Sequence, residues 1–262
     1  MKFTPDQLDL LFFRLRQTKE ELLYDFRAQQ TLRFKLHQAD NAILGVAHCD
    51  FVEDAWSYPA YFDDDTKIRA GQVDDRVGVW ILLDVLPTYP GMPAFDYLLT
   101  TDEEIGRSSA QEVEEILEYN WTFQFDRRGT DFVDYDRANH KFLKAFQETT
   151  GIPHGVGSFS DICYLPASCG SRVNIGTGYH REHSPDAWVD LVECAAQVER
   201  FVSFANEYAE TPFKMRRESK SRRSLFDGSD SWTLPGDLDS EVTGIQRDEY
   251  DFTDPGADTQ WQ

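Results

Sequence analysis

The stretch "TLRFKLHQADNAILGVAHCD", which runs from Thr31 to Asp50, decides how this chain folds. Two β-forming segments flank the turn sequence "QADN", and the second is an apolar run that ends at His48 and Asp50. This pattern predicts a strand with two polar side chains at its C-terminal edge. Such a pair can be no more than two polar residues at the end of an ordinary strand, or it can supply the first ligands of a metal site.

Strands and helices alternate along the chain up to about residue 210. The segment "DDRVGVWILLDVLPTY" predicts a buried helix that stops at Pro87, and "ANHKFLKAFQETTG" predicts a helix capped by Gly151. The segment "PDAWVDLVECAAQVERFVSFANEYA" predicts a long amphipathic helix with Pro185 near its start. Strands are predicted at "AFDYLLTTDEEIG", "WTFQFD" and "SRVNIGTGYH", and a further helix at "SAQEVEEILEY". This alternation indicates a layered α/β fold with helices on both faces of a sheet, in which ligands gather at the carboxyl ends of the strands.

Composition and charge exclude several classes of protein. The 262 residues are 40% hydrophobic and 14% aromatic, which is enough apolar surface for a globular core. The formal net charge of -21 argues against a phosphate-binding surface, so no nucleic-acid partner is expected. The four cysteines show no C-x-x-C pairing, which predicts reduced thiols. The N-terminal segment is typical of an amphipathic helix rather than a signal peptide, and no apolar run is long enough for a membrane span, so we expect a cytoplasmic protein without a membrane partner.

The character of the sequence changes near Thr211. Residues 211–262 are rich in Asp, Ser, Gly and Arg and have no sustained apolar period, which predicts a largely disordered acidic tail behind a folded domain of residues 1–210. The cluster "KMRRESKSRRS" is typical of a solvated linker, although it would also suit an acidic partner. The aromatic positions Trp232, Tyr250 and Trp261 leave docking on a protein partner or on the core as open alternatives.

Polar residues follow the predicted strands at five places, and each of them alone has an ordinary structural explanation. These places are a capped turn at His48 and Asp50, helix caps at Asp74 and Asp75, loop charges at Glu103 and Glu104, an ion pair at Asp126, and a surface histidine at His183. Their order along the chain changes that assessment, because strand ends in an α/β sheet converge on one crevice. Carboxylates that meet there repel each other unless cations neutralise them, and zinc accepts both imidazole nitrogen and carboxylate oxygen.

The ordered set "AHCD", "GQVDDRVG", "TTDEEIG", "FQFD" and "GYHREHSPD" resembles the di-zinc exopeptidases, a group that includes zinc aminopeptidases, peptidase T and the carboxypeptidase G type. The resemblance covers roughly residues 32–209. It implies a three-layer α/β/α fold with a central, mostly parallel mixed sheet of the phosphorylase/hydrolase-like type. Only 24 positions separate Asp50 from Asp74, and 57 separate Asp126 from His183, so neither an inserted lid domain nor a dimerisation domain is expected.

The resemblance also implies a set of metal ligands. His48 and Asp126 would bind the first ion, Glu104 and His183 the second, and Asp74 would bridge both. The implied cofactor is two Zn²⁺ ions, with Co²⁺ or Mn²⁺ as alternatives. His180 is a rival for the last ligand position.

Two catalytic roles and one backbone feature follow from the same resemblance. Asp50 would orient the imidazole of His48, and Glu103 would act as the general acid and base. Asp75 would cap the following helix, and the peptide bond between Asp74 and Asp75 would be cis.

Four further residues are candidate substrate contacts. Ser160 and Asp161 in "GSFSDI" resemble a segment near the family's site, although a structural turn suits them equally. Arg127 and Arg128 would clamp a substrate carboxylate or, more simply, neutralise nearby carboxylates. The expected substrate is a short peptide or an N-acyl amino acid.

The leading functional hypothesis is an aminopeptidase of the single-domain zinc type. The alternatives are a carboxypeptidase or amidohydrolase (deacylase) of the same superfamily, which would read a free carboxylate through the arginines. A third alternative is a non-catalytic domain that uses the scaffold to bind peptides or partners.

Overall fold

A computed structural model describes residues 2–52, 59–113 and 118–215 of the chain. The helices are α1 (Pro5–Arg14), α2 (Lys19–Leu23), α3 (Val73–Trp80), α4 (His140–Thr150) and α5 (Leu191–Tyr208). The strands are β1 (Tyr24–Asp25), β2 (Gln30–Thr31), β3 (Lys35–His37), β4 (Ile43–His48), β5 (Tyr61–Phe62), β6 (Lys67–Arg69), β7 (Asp96–Thr100), β8 (Trp121–Arg128), β9 (Phe132–Val133), β10 (Ser171–His180) and β11 (Trp188–Asp190).

A nine-stranded mixed sheet forms the centre of the molecule, in the order β3-β7-β4-β8-β10-β11-β6-β5, with β9 paired to β10. The four central strands β7, β4, β8 and β10 run parallel, whereas the flanking pairings are antiparallel. The predicted α/β fold with a mixed sheet is therefore confirmed, although the parallel pairings are confined to the centre of the sheet and the antiparallel pairings outnumber them. Because the four parallel strands point the same way, their carboxyl ends meet at one edge.

The side chains of the segment "WTFQFD" in β8 alternate between the two faces of the sheet. Trp121, Phe123 and Phe125 point to the face on which α3, α4 and α5 pack, and their rings contact Phe201 of α5. The intervening Thr122, Gln124 and Asp126 point to the opposite face, since successive side chains of a strand alternate. The same strand thus anchors the aromatic core and carries polar groups toward the site.

The opposite face is covered differently. Its apolar cluster joins Leu44 and Val46 of β4 to Ile162 and Ala110, which lie in 3₁₀ turns at Asp161–Cys163 and Ser109–Glu112. The helix predicted for "SAQEVEEILEY" is a 3₁₀ turn over its first residues, and residues 114–117 lie outside the described ranges. The 3₁₀ turn at Ser109–Glu112 is capped by Ser108, whose side chain accepts a hydrogen bond from the Ala110 N–H.

Two boundaries differ from the sequence prediction. The last helix starts at Leu191 rather than near Pro185, because Asp190 caps it by accepting hydrogen bonds from the N–H groups of Val192 and Glu193, and the preceding residues form β11. Residues 211–215 belong with the folded part rather than the tail, since Phe213 is buried in the core. The rest of the predicted tail lies outside the described residues.

Other predictions agree with the structure. Gly151 ends α4 in a left-handed conformation with φ 63°, and the 3₁₀ turn containing Pro87 follows the buried helical segment. None of the helices in the described ranges has the length and hydropathy that crossing a membrane requires. Between β8 and β10 the chain forms only β9, α4 and two 3₁₀ turns, and these residues are all described.

Candidate metal centre

The carboxyl edge of the parallel strands brings together the polar residues that follow them. His48 is the last residue of β4 and Asp126 lies near the end of β8, while Asp74 is in the first turn of α3. Glu103 and Glu104 form a 3₁₀ turn beyond β7. His183 follows β10 in a left-handed conformation with φ 59°.

His48 occupies the buried side of this cluster. Its Nε2 atom lies 3.2 Å from Asp74 Oδ1, 3.4 Å from Asp126 Oδ1 and 4.0 Å from Glu103 Oε2. Its Nδ1 atom lies 3.1 Å from the carbonyl oxygen of Asp50 and 3.5 Å from Asp50 Oδ1. The ring is therefore fixed from both edges, with Nε2 turned to the carboxylates.

His183 faces the same carboxylates from the open side. Its Nε2 atom lies 3.2 Å from Asp74 Oδ2 and 2.9 Å from Glu104 Oε2. Asp74 thus presents one carboxylate oxygen to His48 and the other to His183. The peptide bond between Asp74 and Asp75 is cis, as the resemblance implied.

The two glutamates are positioned by their loop. Asp102 precedes them in a left-handed conformation with φ 71° and pairs with Arg33. The Glu104 N–H donates to Asp50 Oδ2 at 3.1 Å, so the residue behind His48 also holds the loop after β7.

Burial and mutual repulsion perturb the acidity of the cluster. Burial and the neighbouring charges of Asp161 and Asp74 raise the pKa of Glu103 to about 8. Burial and the charges of Asp75 and Asp74 hold the pKa of Asp126 well above its usual range. Both shifts favour the neutral carboxyl group, chiefly because these side chains are buried and secondly because other carboxylates adjoin them.

The pKa values of the two imidazoles are raised as well, in their case because the neighbouring carboxylates favour the charged form. Hydrogen bonds to Asp74 and Glu104 raise the pKa of His183 to about 10. Burial lowers the pKa of His48, but the nearby carboxylates, Asp126 foremost, outweigh it and hold the pKa well above its usual range. Although burial opposes it, hydrogen bonds from His183 and His48 lower the pKa of Asp74. The carboxylates therefore favour the protonated form of both imidazoles, and the imidazoles in turn favour the ionised form of Asp74.

The donor set fits divalent ions. His48, Asp74 and Glu104 each offer a ligand atom within 4.8 Å of the others, and so do His48, Asp75 and Asp126. Glu104 Oε1 is buried and accepts no hydrogen bond from the described residues. Imidazole nitrogens mixed with carboxylate oxygens suit zinc, and an ion would satisfy the unpaired oxygen.

His180, the rival for the last ligand position, and Asp75, the neighbour of the bridging residue, lie in different surroundings. His180 stacks on Trp188 and its Nε2 lies 2.9 Å from Glu193 Oε2, so the structure does not bring it to the cluster. Asp75 Oδ1 accepts the Gly78 N–H at 2.9 Å, which is the capping role considered from the sequence, while its carboxylate remains close to His48 and Asp126.

Ser160 and Asp161 are fully buried beneath the cluster. Ser160 Oγ donates to Gln124 Oε1 at 2.5 Å, and Gln124 Nε2 donates at 3.0 Å to both Asp126 Oδ2 and Asp161 Oδ2. Ser108 donates to the other oxygen of Asp161 at 2.5 Å. These residues therefore support Asp126 from behind and have no surface to offer a substrate.

An open cavity of about 530 Å³ lies in front of the cluster and contains Arg127 and Arg128 in its wall. Arg127 binds both carboxylate oxygens of Asp131 and donates to the Val156 carbonyl at 2.8 Å. Arg128 is 73% exposed and its Nε lies 3.0 Å from Glu182 Oε1. Arg127 thus fixes the cavity wall, whereas Arg128 remains accessible.

Sequence reasoning missed Gln124, Asn174, Tyr135 and Tyr179, all of which contact Asp126 or its neighbours. Asn174 brackets the Asp126 backbone, and the Tyr179 hydroxyl lies 3.4 Å from Asp126 Oδ1. The available signal was a polar residue at the inward position of a strand in otherwise apolar runs, "WTFQFD" and "SRVNIG".

No protein-family model matches the chain, and no curated protein matches it in sequence. Solved structures do share its fold. Aminopeptidase PepT from Bacillus cereus superposes with a TM-score of 0.56 at 12% identity, over 77% of this chain and 97% of that one. A tripeptidase from Staphylococcus aureus gives 0.57 at 11% identity, over 80% and 100%. An aminopeptidase from the archaeon Desulfurococcus kamchatkensis gives 0.56 at 13% identity, over 82% and 99%, and identities this low establish a shared fold alone.

Proposed function

We propose that this protein is a metal-dependent hydrolase that binds two zinc ions and removes the N-terminal residue from short peptides. The observation that carries the proposal is the carboxylate of Asp74, which offers one oxygen toward His48 and the other toward His183. His48, Asp126 and Asp74 would hold the first ion, and Asp74, Glu104 and His183 the second. Bound zinc supplies Lewis acidity toward a carbonyl and toward water.

Glu103 is the proton carrier in this proposal. Its carboxylate is largely buried and faces the cluster, with Oε2 4.0 Å from His48 Nε2, and it is not a ligand of either ion in this arrangement, which leaves it available for proton transfer. Glu103 would take a proton from the attacking water and return it to the departing amine. Asp50 would hold His48 through Nδ1 and steady the loop through the Glu104 N–H.

The arginines of the cavity wall are already paired with carboxylates, which favours the aminopeptidase hypothesis over one in which they bind a free substrate carboxylate. Arg127 pairs with Asp131, and Arg128 pairs with Glu182. The accessible Arg128 would contact the far end of a short peptide. Ser160 and Asp161, being buried, would position Asp126 rather than touch substrate.

The decisive experiment combines metal analysis with Glu103→Gln. Purified protein should contain two zinc equivalents and cleave unblocked short peptides, and N-acetylation of those peptides should abolish cleavage. Glu103→Gln should retain both ions and lower kcat by about 10²- to 10⁴-fold, because it removes only the proton carrier. Two ions without turnover on any peptide would instead identify a binding domain, and cleavage of N-acyl substrates would identify a carboxypeptidase or deacylase.

A further inference from the structure

Two tyrosines beside Asp126 line the cavity, and their hydroxyl groups are used differently. The Tyr179 hydroxyl lies 3.4 Å from Asp126 Oδ1, to which it donates. The Tyr135 oxygen lies 3.1 Å from Asn174 Nδ2. The second contact determines where the Tyr135 hydrogen is free to point.

The orientation of the Asn174 amide settles the direction of that hydrogen bond. Asn174 Oδ1 accepts the Asp126 N–H at 3.0 Å, and Asn174 Nδ2 donates to the Asp126 carbonyl oxygen at 3.0 Å. The group facing Tyr135 is therefore an N–H donor, and the tyrosine oxygen is its acceptor. Among the residues that the structure describes, the Tyr135 hydroxyl hydrogen has no acceptor, although a phenol O–H is both donor and acceptor.

The backbone holds the Tyr135 ring in the cavity wall. Tyr135 and Asp136 both have left-handed conformations, with φ 51° and 57°. Gly157 packs against the ring so closely that a Cβ atom there would come within 2.8 Å of the Tyr135 ring. Non-glycine residues adopt such conformations at a cost that is typically met at functional sites.

We infer that Tyr135 donates its hydroxyl hydrogen to the oxyanion that develops on the scissile carbonyl oxygen. This inference rests on the proposed function. No bond to the tyrosine forms or breaks, and the proton stays on the phenol oxygen throughout as a hydrogen-bond donor. Burial and the charge of Asp126 raise the pKa of Tyr135, so the hydroxyl keeps its proton at neutral pH. A donor fixed in place before the reaction stabilises developing charge without reorganising.

The first test is the turnover of Tyr135→Phe in zinc-loaded protein. We expect kcat to fall about 100-fold, as for loss of one oxyanion donor, with KM within about twofold of wild type and both zinc ions retained. Tyr61→Phe is the matched control, since this half-exposed tyrosine of β5 is not among the residues that line the cavity and should leave kcat unchanged. Tyr179→Phe should instead weaken zinc retention, because its hydroxyl contacts a proposed ligand.

The second test is independent of turnover. The phosphonic acid analogue of L-leucine carries a tetrahedral anion, and its affinity for zinc-loaded wild type and Tyr135→Phe is measured by calorimetry. A loss of affinity about as large as the loss of kcat supports the inference, whereas equal affinities or an unchanged kcat overturn it. Wild-type protein that binds the analogue through Tyr135 but cleaves no peptide would reject the proposed function and retain the oxyanion site.

Discussion

The two histidines of the candidate centre stand in contrasting surroundings. His48 ends a buried strand and its side chain is fully enclosed, whereas the side chain of His183 is 48% exposed on a left-handed turn. Both reach the same carboxylate, Asp74. One half of the centre is therefore built by the sheet and the other by a loop.

This contrast separates what is fixed from what is adjustable. Around His48, the contacts with Asp50, Gln124 and Asn174 immobilise both the ring and Asp126. His183 is held chiefly by its bonds to Asp74 and Glu104, which are the groups that would share an ion with it. Loops open locally at lower free energy than core strands, so the ion on the His183 side should be the easier one to remove.

The largest expected difference between the halves is in folding stability. In metal-free protein, His48→Ala should lower the free energy of unfolding by about 3–5 kcal/mol, because it leaves buried carboxylates without their imidazole partner. His183→Ala should cost less than about 1 kcal/mol, since that pair is half-exposed and solvent-screened. Urea denaturation with chelator present measures both values.

Zinc content sharpens the same comparison. His183→Ala should retain one zinc equivalent, whereas His48→Ala should lose the ion of the buried half. His180→Ala is the control, because this partly exposed histidine pairs with Glu193 and lies outside the cluster. Equal losses of stability from His48→Ala and His183→Ala would contradict the division into a rigid half and an adjustable half.

The hydrogen bonds that hold Asp126 in the buried half should have a smaller effect, on the affinity for zinc. Gln124→Met removes the amide that donates to Asp126 and Asp161, and should weaken zinc binding about 10- to 100-fold. Gln197→Met is matched to it, because Gln197 is equally buried but donates to the Thr130 carbonyl on another element. Chelator competition gives the affinities, and equal values for the two variants would remove Gln124 from the site.

The contrast also explains which features the sequence could predict. His48 and Asp126 end apolar strands, and the convergence of strand ends in a parallel sheet brings them together. His183 lies in a turn without periodicity, so only a motif resemblance distinguished it from His180. Loop conformation depends on contacts with distant residues such as Asp74, which no local pattern records.

Buried polar support was the least predictable feature. Gln124 in "WTFQFD" has the spacing of a solvent-facing residue, yet it is fully buried because Ser160, Asp126 and Asp161 satisfy its amide. The start of α5 was misplaced for a related reason. Pro185 suits a helix start, but the side-chain hydrogen bonds of Asp190 place the first helical residue six positions later, at Leu191.

Stability against pH provides a further comparison. The folded pKa values of His183, about 10, and Glu103, about 8, both lie above the ordinary values of 6.5 and 4.5. The folded state therefore binds more protons, and metal-free stability should fall as pH rises from about 4.5 to 10. Glu103→Gln should reduce the loss between pH 4.5 and 8, to which Asp126 and His48 also contribute, and His183→Ala should make only a small reduction between pH 6.5 and 10, because its ion pairs are half-exposed and solvent-screened. Denaturation at a series of pH values checks this, and zinc should flatten the profile because it replaces the protons.

The smallest effect is expected at the rim of the cavity, on the adjustable side. Arg128→Ala should raise KM for a tripeptide with a free C-terminus by about fivefold, which corresponds to about 1 kcal/mol for an exposed ion pair, and should leave the C-terminal amide of the same peptide unaffected. Arg181→Ala is the control, since Arg181 is similarly exposed and pairs with Asp186. Arg127 is already hydrogen-bonded to Asp131 and to the Val156 carbonyl. An unchanged KM in Arg128→Ala would therefore mean that neither arginine binds the substrate carboxylate. The cavity would then recognise its peptides through the ammonium group alone.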